Sequence, residues 1–320
     1  MRAIVFDRFG DESVLRLGDA DPPPLGANDL RIRVRAAGVN RADLLQREGH
    51  YPPPPGASPI LGMECAGEVI EIGADVRGWQ LGDRAMALLA GGGYAGEVVV
   101  DAGSAMHAPA ALRDEEAGAI PEVFITAFLN VFKLGQAKGG ETLLVHGGGS
   151  GVGTAATTLA KLAGLRVIVT AGSQEKCERC LAHGADVAIN YREEDFVERA
   201  RSVDIVLDHI GARYLPRDLE ALAVGGRVVI IGSMGGKATM ELDVNALLAR
   251  RQQIIGSTLR ARPPAEKAEI IASFTARFGD DLRAGRVRPV IDAVFPLAEA
   301  AEAHRRMKDD HFGKIVLRVD

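Results

Sequence analysis

The sequence is short of cysteine and of aromatic residues. Its 320 residues include three cysteines and one tryptophan, and aromatics make up 5%. Three thiols cannot build a disulfide framework, so a reducing compartment is expected, and the cytoplasm is the default. A basic excess is lacking as well: 38 Lys and Arg stand against 43 Asp and Glu, a formal net charge of -5. Nucleic-acid binders carry a basic stripe or excess, and neither is visible, so no nucleic-acid partner is expected. No apolar run of the roughly 18 residues that span a membrane stands out, so no membrane partner is expected either. The opening Met1-Arg2-Ala3-Ile4-Val5-Phe6 reads as a first strand rather than a secretory leader. The seven histidines show no triad spacing and no nucleophile elbow occurs, which leaves a hydrolase little support.

What the chain has in quantity is glycine, 38 residues, which suits tight turns and close approach of backbone to a ligand. At roughly 100–200 residues per domain the length favours two domains. The pattern changes near residue 120. Before it, short apolar runs (30–37, 66–72, 84–89, 96–100) are separated by Pro22-Pro23-Pro24, the Pro52 to Gly56 run, Gly82-Asp83 and Gly91-Gly92-Gly93. This predicts a mostly antiparallel β domain. After it, strands at 141–146, 166–171, 187–190, 204–208, 226–231 and 253–257 alternate with helical stretches at 152–163, 174–183, 215–223 and 244–251. That alternation predicts an α/β, doubly wound parallel sheet. From about residue 285 the strand pattern returns, so the first domain is expected to complete itself there.

The first βα turn reads His146-Gly147-Gly148-Gly149-Ser150-Gly151-Val152-Gly153. A glycine loop between a strand and a helix offers free N–H groups and the positive end of a helix dipole to a pyrophosphate. Ser150, Gly151, Val152 and Gly153 are the candidate phosphate-binding residues. At the end of the next strand, Thr170-Ala171-Gly172-Ser173-Gln174-Glu175-Lys176 lacks the acid that would hold a ribose 2′-hydroxyl in an NAD enzyme. Ser173 and Lys176 suit a 2′-phosphate, which favours NADPH, although Lys176 also reads as a solvated helix residue beside Glu175. Tyr191, after the third strand, fits either a contact with the adenosine end or ordinary packing.

These residues, with others, carry a family likeness. Ala37-Gly38-Val39-Asn40-Arg41-Ala42-Asp43, Leu61-Gly62-Met63-Glu64-Cys65-Ala66-Gly67, Gly82-Asp83-Arg84, the 147–153 loop and Phe312-Gly313-Lys314-Ile315-Val316-Leu317 resemble the zinc-independent medium-chain dehydrogenase/reductases of the quinone oxidoreductase group, which includes zeta-crystallin. Tyr51 to Ser58, Ile120-Pro121-Glu122, Thr126-Ala127-Phe128 and Ser150 resemble its tumour-suppressor-inducible branch in particular. The resemblance implies a GroES-like, β-rich catalytic domain over 1–120, completed by 262–320, and a Rossmann domain over 121–261. It implies NADPH in a cleft between them, a homodimer or dimer of dimers, and a small-molecule quinone as hydride acceptor. It also implies cofactor contacts at Asn40, Thr126, Gly232, Ser233, Met234 and Thr258, and substrate or nicotinamide positioning by Asn40 and Tyr51. Tyr51 precedes a run of prolines and reads equally as a turn residue.

Zinc-dependent relatives carry a catalytic Cys and a Gly-His-Glu where this chain has Asn40 and Met63, and neither residue is a zinc ligand. With Cys65, Cys177 and Cys180 alone a four-cysteine structural site cannot form. The Cys177-x-x-Cys180 spacing falls on one side of a predicted helix and reads as core. No metal is therefore expected, and a hydride acceptor that is already electron-poor is. An NADPH-dependent reductase of alkenals or enones, and a non-catalytic NADPH-binding crystallin-like protein, remain as alternatives. Asp43 and Glu64 read as supports of the site rather than acid–base catalysts.

Overall fold

The computed structural model describes residues 1–236 and 239–320. The chain divides into two compact units, residues 1–125 with 259–320, and residues 126–258. The expected boundaries lay near 120 and 261. The first crossing instead falls inside the helix Pro121–Phe128, and the second falls before Arg260, whose partners all belong to the first unit.

The first unit is built on a seven-stranded sheet. Ile291–Pro296, Lys314–Arg318, Asp29–Val39, Glu64–Ile72, Arg84–Leu88 and Ala105–His107 lie side by side in that order, and Glu97–Asp101 pairs with Asp29–Val39. Every pairing is antiparallel except Ile291–Pro296 with Lys314–Arg318. The long strand Asp29–Val39 alternates buried and open residues over its first half, with Leu30, Ile32 and Val34 inward, the period-2 pattern of a sheet with one covered face. Its last residues, Ala36 to Val39, are all buried and pair with Ile315 to Arg318, so the two ends of the chain close one core.

Sequence reading missed the 20-residue helix Pro264–Arg283. Ile270, Ile271, Phe274, Phe278 and Leu282 line its buried face at helical spacing, but Lys267 stands on that face as well and obscures the stripe. The stretch 114–134 corrects the reading of apolar runs. It is long and apolar enough to cross a membrane, yet 83% of its most apolar 18 residues are buried inside the protein. It serves as core.

The second unit is a six-stranded, all-parallel sheet. Its order is Val187–Asn190, Arg166–Ala171, Thr142–Val145, Val203–Asp208, Leu222–Ile230, Gln253–Gly256. In chain order that is 3-2-1-4-5-6, the doubly wound dinucleotide-binding arrangement. The central strands carry short apolar runs, Leu143 to Val145 and Ile205 to Leu207, all buried, as expected of a parallel sheet covered on both faces. In such sheets ligands bind beyond the carboxyl ends of the strands, where the order reverses.

Candidate active site

At that end of the second unit the helix Gly151–Leu162 begins. Ser150 is its N-cap: its Oγ accepts from the Gly153 N–H at 3.0 Å. The N–H groups of Gly151 and Val152 open the helix and have no hydrogen-bond partner among the described residues, and no acid stands in the first turn. Gly153 is required by packing. A Cβ there would lie 2.3 Å from the Gly147 carbonyl oxygen, so helix and loop approach as only glycine allows. The serine that breaks the glycine pattern therefore caps the helix while leaving two N–H groups for an anion.

The neighbouring strand ends bring the other candidates to the same edge. Ser173 caps the helix Gln174–Ala182, accepting from the Lys176 N–H at 3.2 Å. The Tyr191 hydroxyl lies over Gly172, 2.8 Å from where a Cβ would stand. Gly232, Ser233 and Met234 follow Leu222–Ile230, and the Met234 N–H donates to the His209 carbonyl at 2.9 Å. Thr258 follows Gln253–Gly256. Thr126 lies in Pro121–Phe128, where its carbonyl accepts from Asn130 Nδ2 at 2.7 Å. Cys177 and Cys180 are buried free thiols, and burial pushes Cys180 up to about 12.

Sequence reading overlooked the supports under this loop. His146 is sealed between Asp218, 2.8 Å from Nε2, and the Thr170 hydroxyl, 3.1 Å from Nδ1. Thr170 Oγ1 also accepts from the Gly147 N–H at 3.3 Å, tying loop to strand tip. The His209 ring packs against Gly147, and burial lowers its pKa to about 4. His146 does belong to the glycine segment, but nothing local announces Asp218, 72 residues away.

In the first unit Asn40 caps the helix Arg41–Arg47. Its backbone N–H donates to Asp43 Oδ2 at 2.8 Å. Its amide Nδ2 donates to Glu64 Oε1 at 2.9 Å and, more weakly, to the Gly38 carbonyl at 3.4 Å. Its Oδ1 accepts from Lys314 Nζ at 2.7 Å. Asn40 thus spends its donor hydrogens inside the protein, which removes it as a donor to an acceptor oxygen and leaves a second Oδ1 lone pair. Lys314 gives its other hydrogens to Glu64 Oε1 at 2.6 Å and the Val39 carbonyl at 2.9 Å. Gly38 makes room: a Cβ there would lie 2.1 Å from Glu64 Oε1. Asp43 accepts from the Gly62 N–H and the Tyr94 hydroxyl as well, so all its partners are donors, and burial still raises its pKa to about 6.

Tyr51 is half-buried, and burial raises its phenol pKa, as does Glu122 to a lesser degree. Its ring faces the Arg260 guanidinium, 5.2 Å away. Arg260, 4% exposed, donates to the Ala90 carbonyl at 2.8 Å and to Gln46 Oε1 at 2.5 Å. Glu122 Oε2 is sealed from solvent without a partner, and burial pushes this carboxyl up to about 8, helped by Glu64.

Among the described residues no group of three or more His, Cys, Asp or Glu could hold a metal ion. Where zinc-dependent relatives bind the ion, this unit has Met63 and the Asn40–Glu64–Lys314 contact, whose ammonium would repel a cation. The residues present do not fit zinc.

Residues 26–110 match the family described as alcohol dehydrogenase GroES-like domain, and residues 151–276 match zinc-binding dehydrogenase. The quinone oxidoreductase of Rattus norvegicus is 30% identical over 99% of this chain and 97% of its own. Among solved structures, a quinone oxidoreductase of Escherichia coli in complex with NADPH is 28% identical, with TM-score 0.85 over 99% of this chain and 100% of that one. An NAD-dependent alcohol dehydrogenase is 32% identical, with TM-score 0.85 over 100% of both chains. Two units of the expected architecture, a glycine loop at the switch point of a parallel sheet, and end-to-end likeness to quinone oxidoreductases place the chain: it belongs to the medium-chain dehydrogenase/reductase family of oxidoreductases.

Proposed function

We propose that the protein is a zinc-independent, NADPH-dependent reductase of small quinones. The observation that carries the cofactor half is the helix start at Ser150, with the free Gly151 and Val152 N–H groups and no acid at the neighbouring strand tip. Pyrophosphate suits the first feature, and Ser173, Lys176 and Tyr191 around Gly172 suit a 2′-phosphate. When bound, the dihydronicotinamide supplies the hydride.

The chain's own residues do the rest. The Asn40–Glu64–Lys314 contact holds the start of the Arg41–Arg47 helix rigid, with Asn40 Oδ1 as an acceptor. Tyr51 supplies the hydroxyl and Arg260 keeps its ring in place. With no fit for a Lewis-acidic metal, the unit suits an acceptor that is already electron-poor, and the quinone oxidoreductase relatives agree with that class. The NADPH-bound relative supports the phosphate reading, and the NAD-dependent one makes cofactor choice the first thing to measure.

The test mixes purified protein with NADPH or NADH and 1,4-benzoquinone, an α,β-unsaturated ketone, or a simple ketone, following absorbance at the reduced-nicotinamide band. The proposal expects turnover of the quinone with NADPH, much less with NADH, and none of the simple ketone. Faster turnover of the enone would move the substrate to conjugated double bonds. Efficient oxidation of a simple alcohol with NADP would overturn the reading.

A further inference from the structure

Two cations in the first unit lack the partners that burial normally demands. Arg260 is 4% exposed and Lys267 is 6% exposed, and neither makes an ion pair with any described carboxylate. An isolated buried charge costs several kcal/mol unless something compensates it. Arg260 has five N–H groups. It gives one each to Ala90 and Gln46 at bonding distance, and the third contact, to the Tyr51 carbonyl, is long at 3.4 Å. Two donors are left. Lys267 sits three residues into the helix Pro264–Arg283; its backbone N–H donates to the Pro263 carbonyl, but its ammonium forms none of the hydrogen bonds found among the described residues. The two cations feel each other and share one acidic neighbour, Glu122. That carboxyl is held largely protonated at neutral pH and contributes little negative charge. Asp43 acts on Arg260 more strongly than Glu122 does and offsets one of the two positive charges, but its hydrogen bonds come from Asn40, Gly62 and Tyr94 and none from the guanidinium, whose spare donors it leaves unmet. The nearby pair Glu64 and Lys314 neutralises itself. The balance is a buried region with positive charge and spare guanidinium donors, bordered by the Tyr51 ring.

We propose that Arg260, backed by the charge of Lys267, is an oxyanion-binding site that takes the acceptor's oxygen as that oxygen becomes negative. This rests on the reductase reading above and names the residue that would lower its barrier. When a quinone is reduced, one C–H bond of the reduced nicotinamide breaks with its electron pair. One bond to hydrogen forms on the acceptor, and the negative charge settles on an acceptor oxygen. A proton from bulk solvent completes the hydroquinone as it leaves the site. Fixed donors in a region closed to water stabilise the charged form far more than the neutral quinone. The apolar flank of Tyr51 and the planar guanidinium select a flat ring bearing an oxygen, so the ligand class is a phenolate or a quinone on its way to one.

The probe is 4-nitrophenol, whose colour reports whether it is phenol or phenolate, and it needs neither NADPH nor turnover. The full-length protein is expected to bind it and to lower the midpoint of its ionisation by about one to two pH units, the size of a charge-assisted hydrogen bond. Arg260→Gln should abolish the shift, Arg260→Lys should keep part of it, and Lys267→Gln should reduce it. If Arg260→Gln does not fold by its melting curve, the Arg260→Lys and Lys267→Gln proteins read the same quantity. An unshifted midpoint in the wild type would overturn the proposal, as would a wild-type shift in a folded Arg260→Gln protein. A protein that shifts the dye yet reduces no quinone would sink the reductase reading and leave the anion site standing.

Discussion

The edge of the second unit and the buried cluster of the first are built from different materials. Around Ser150 the working groups are backbone N–H donors, freed by small residues in one short segment. Around Asn40 they are side chains drawn from across the chain: Lys314 reaches Asn40 over 274 positions and Arg260 reaches Gln46 over 214. A backbone site is written locally, because glycine and a capping serine must occupy successive positions. A side-chain site is written wherever the fold returns. One consequence is fragility of a different kind: the side-chain cluster should fail through charge and the backbone loop through shape.

The largest effect expected is in the first unit. Lys314→Met removes the ammonium and leaves Glu64 charged and sealed, so unfolding free energy in urea should fall by about 3–5 kcal/mol. A loss under 1 kcal/mol would mean that Glu64 takes up a proton or finds another partner. Next comes shape. Gly153→Val places atoms against the Gly147 carbonyl, 2.3 Å from a Cβ, and should cost about 1–3 kcal/mol together with most of the NADPH affinity. Retained affinity in a fluorescence titration would show that the loop is not the phosphate site.

The buried acids sharpen the comparison through pH. Glu122 has its pKa raised from 4.5 to about 8, so the folded state holds its proton more tightly than the unfolded one. Its contribution is full below pH 4.5 and is lost as pH rises towards 8. His304, buried in the first unit between Arg47 and the Tyr94 hydroxyl, and His209 are lowered to about 3 and about 4 and act in the opposite sense: their contribution is lost as pH falls below 6.5. The two senses oppose each other below 6.5. Between pH 6.5 and 8 Glu122 acts without the histidines, so stability should fall on the order of 1–2 kcal/mol as pH rises. Glu122→Gln should flatten that slope, measured by denaturation midpoints at several pH values.

The legibility of the molecule follows the same division. The parallel sheet, its helices and the loop residues Ser150 to Gly153 were readable because period, caps and glycines are local signals. The helix Pro264–Arg283 was not, since a buried Lys267 breaks its apolar stripe. Asn40 was visible as a position, but its donors turn inward to Glu64 and Gly38, a fact set by Lys314 at the far end of the chain. Arg260 stands in no motif, and Glu122 was visible only as a position in the Ile120-Pro121-Glu122 segment, with nothing to announce its burial. Their role emerges only when the strand Lys314–Arg318 closes the first unit and the segment from Leu259 onward returns to it.

The account's central claim is that cofactor affinity and acceptor chemistry reside in separate units. The direct measurement is the NADPH dissociation constant and the kcat for 1,4-benzoquinone in the same two variants. Lys176→Glu should weaken NADPH about tenfold, roughly the worth of one charge-assisted hydrogen bond, weaken NADH far less, and leave kcat at saturating NADPH near wild type. Tyr51→Phe should lower kcat and leave the NADPH dissociation constant unchanged. Variants that each move both quantities alike would contradict the division of labour.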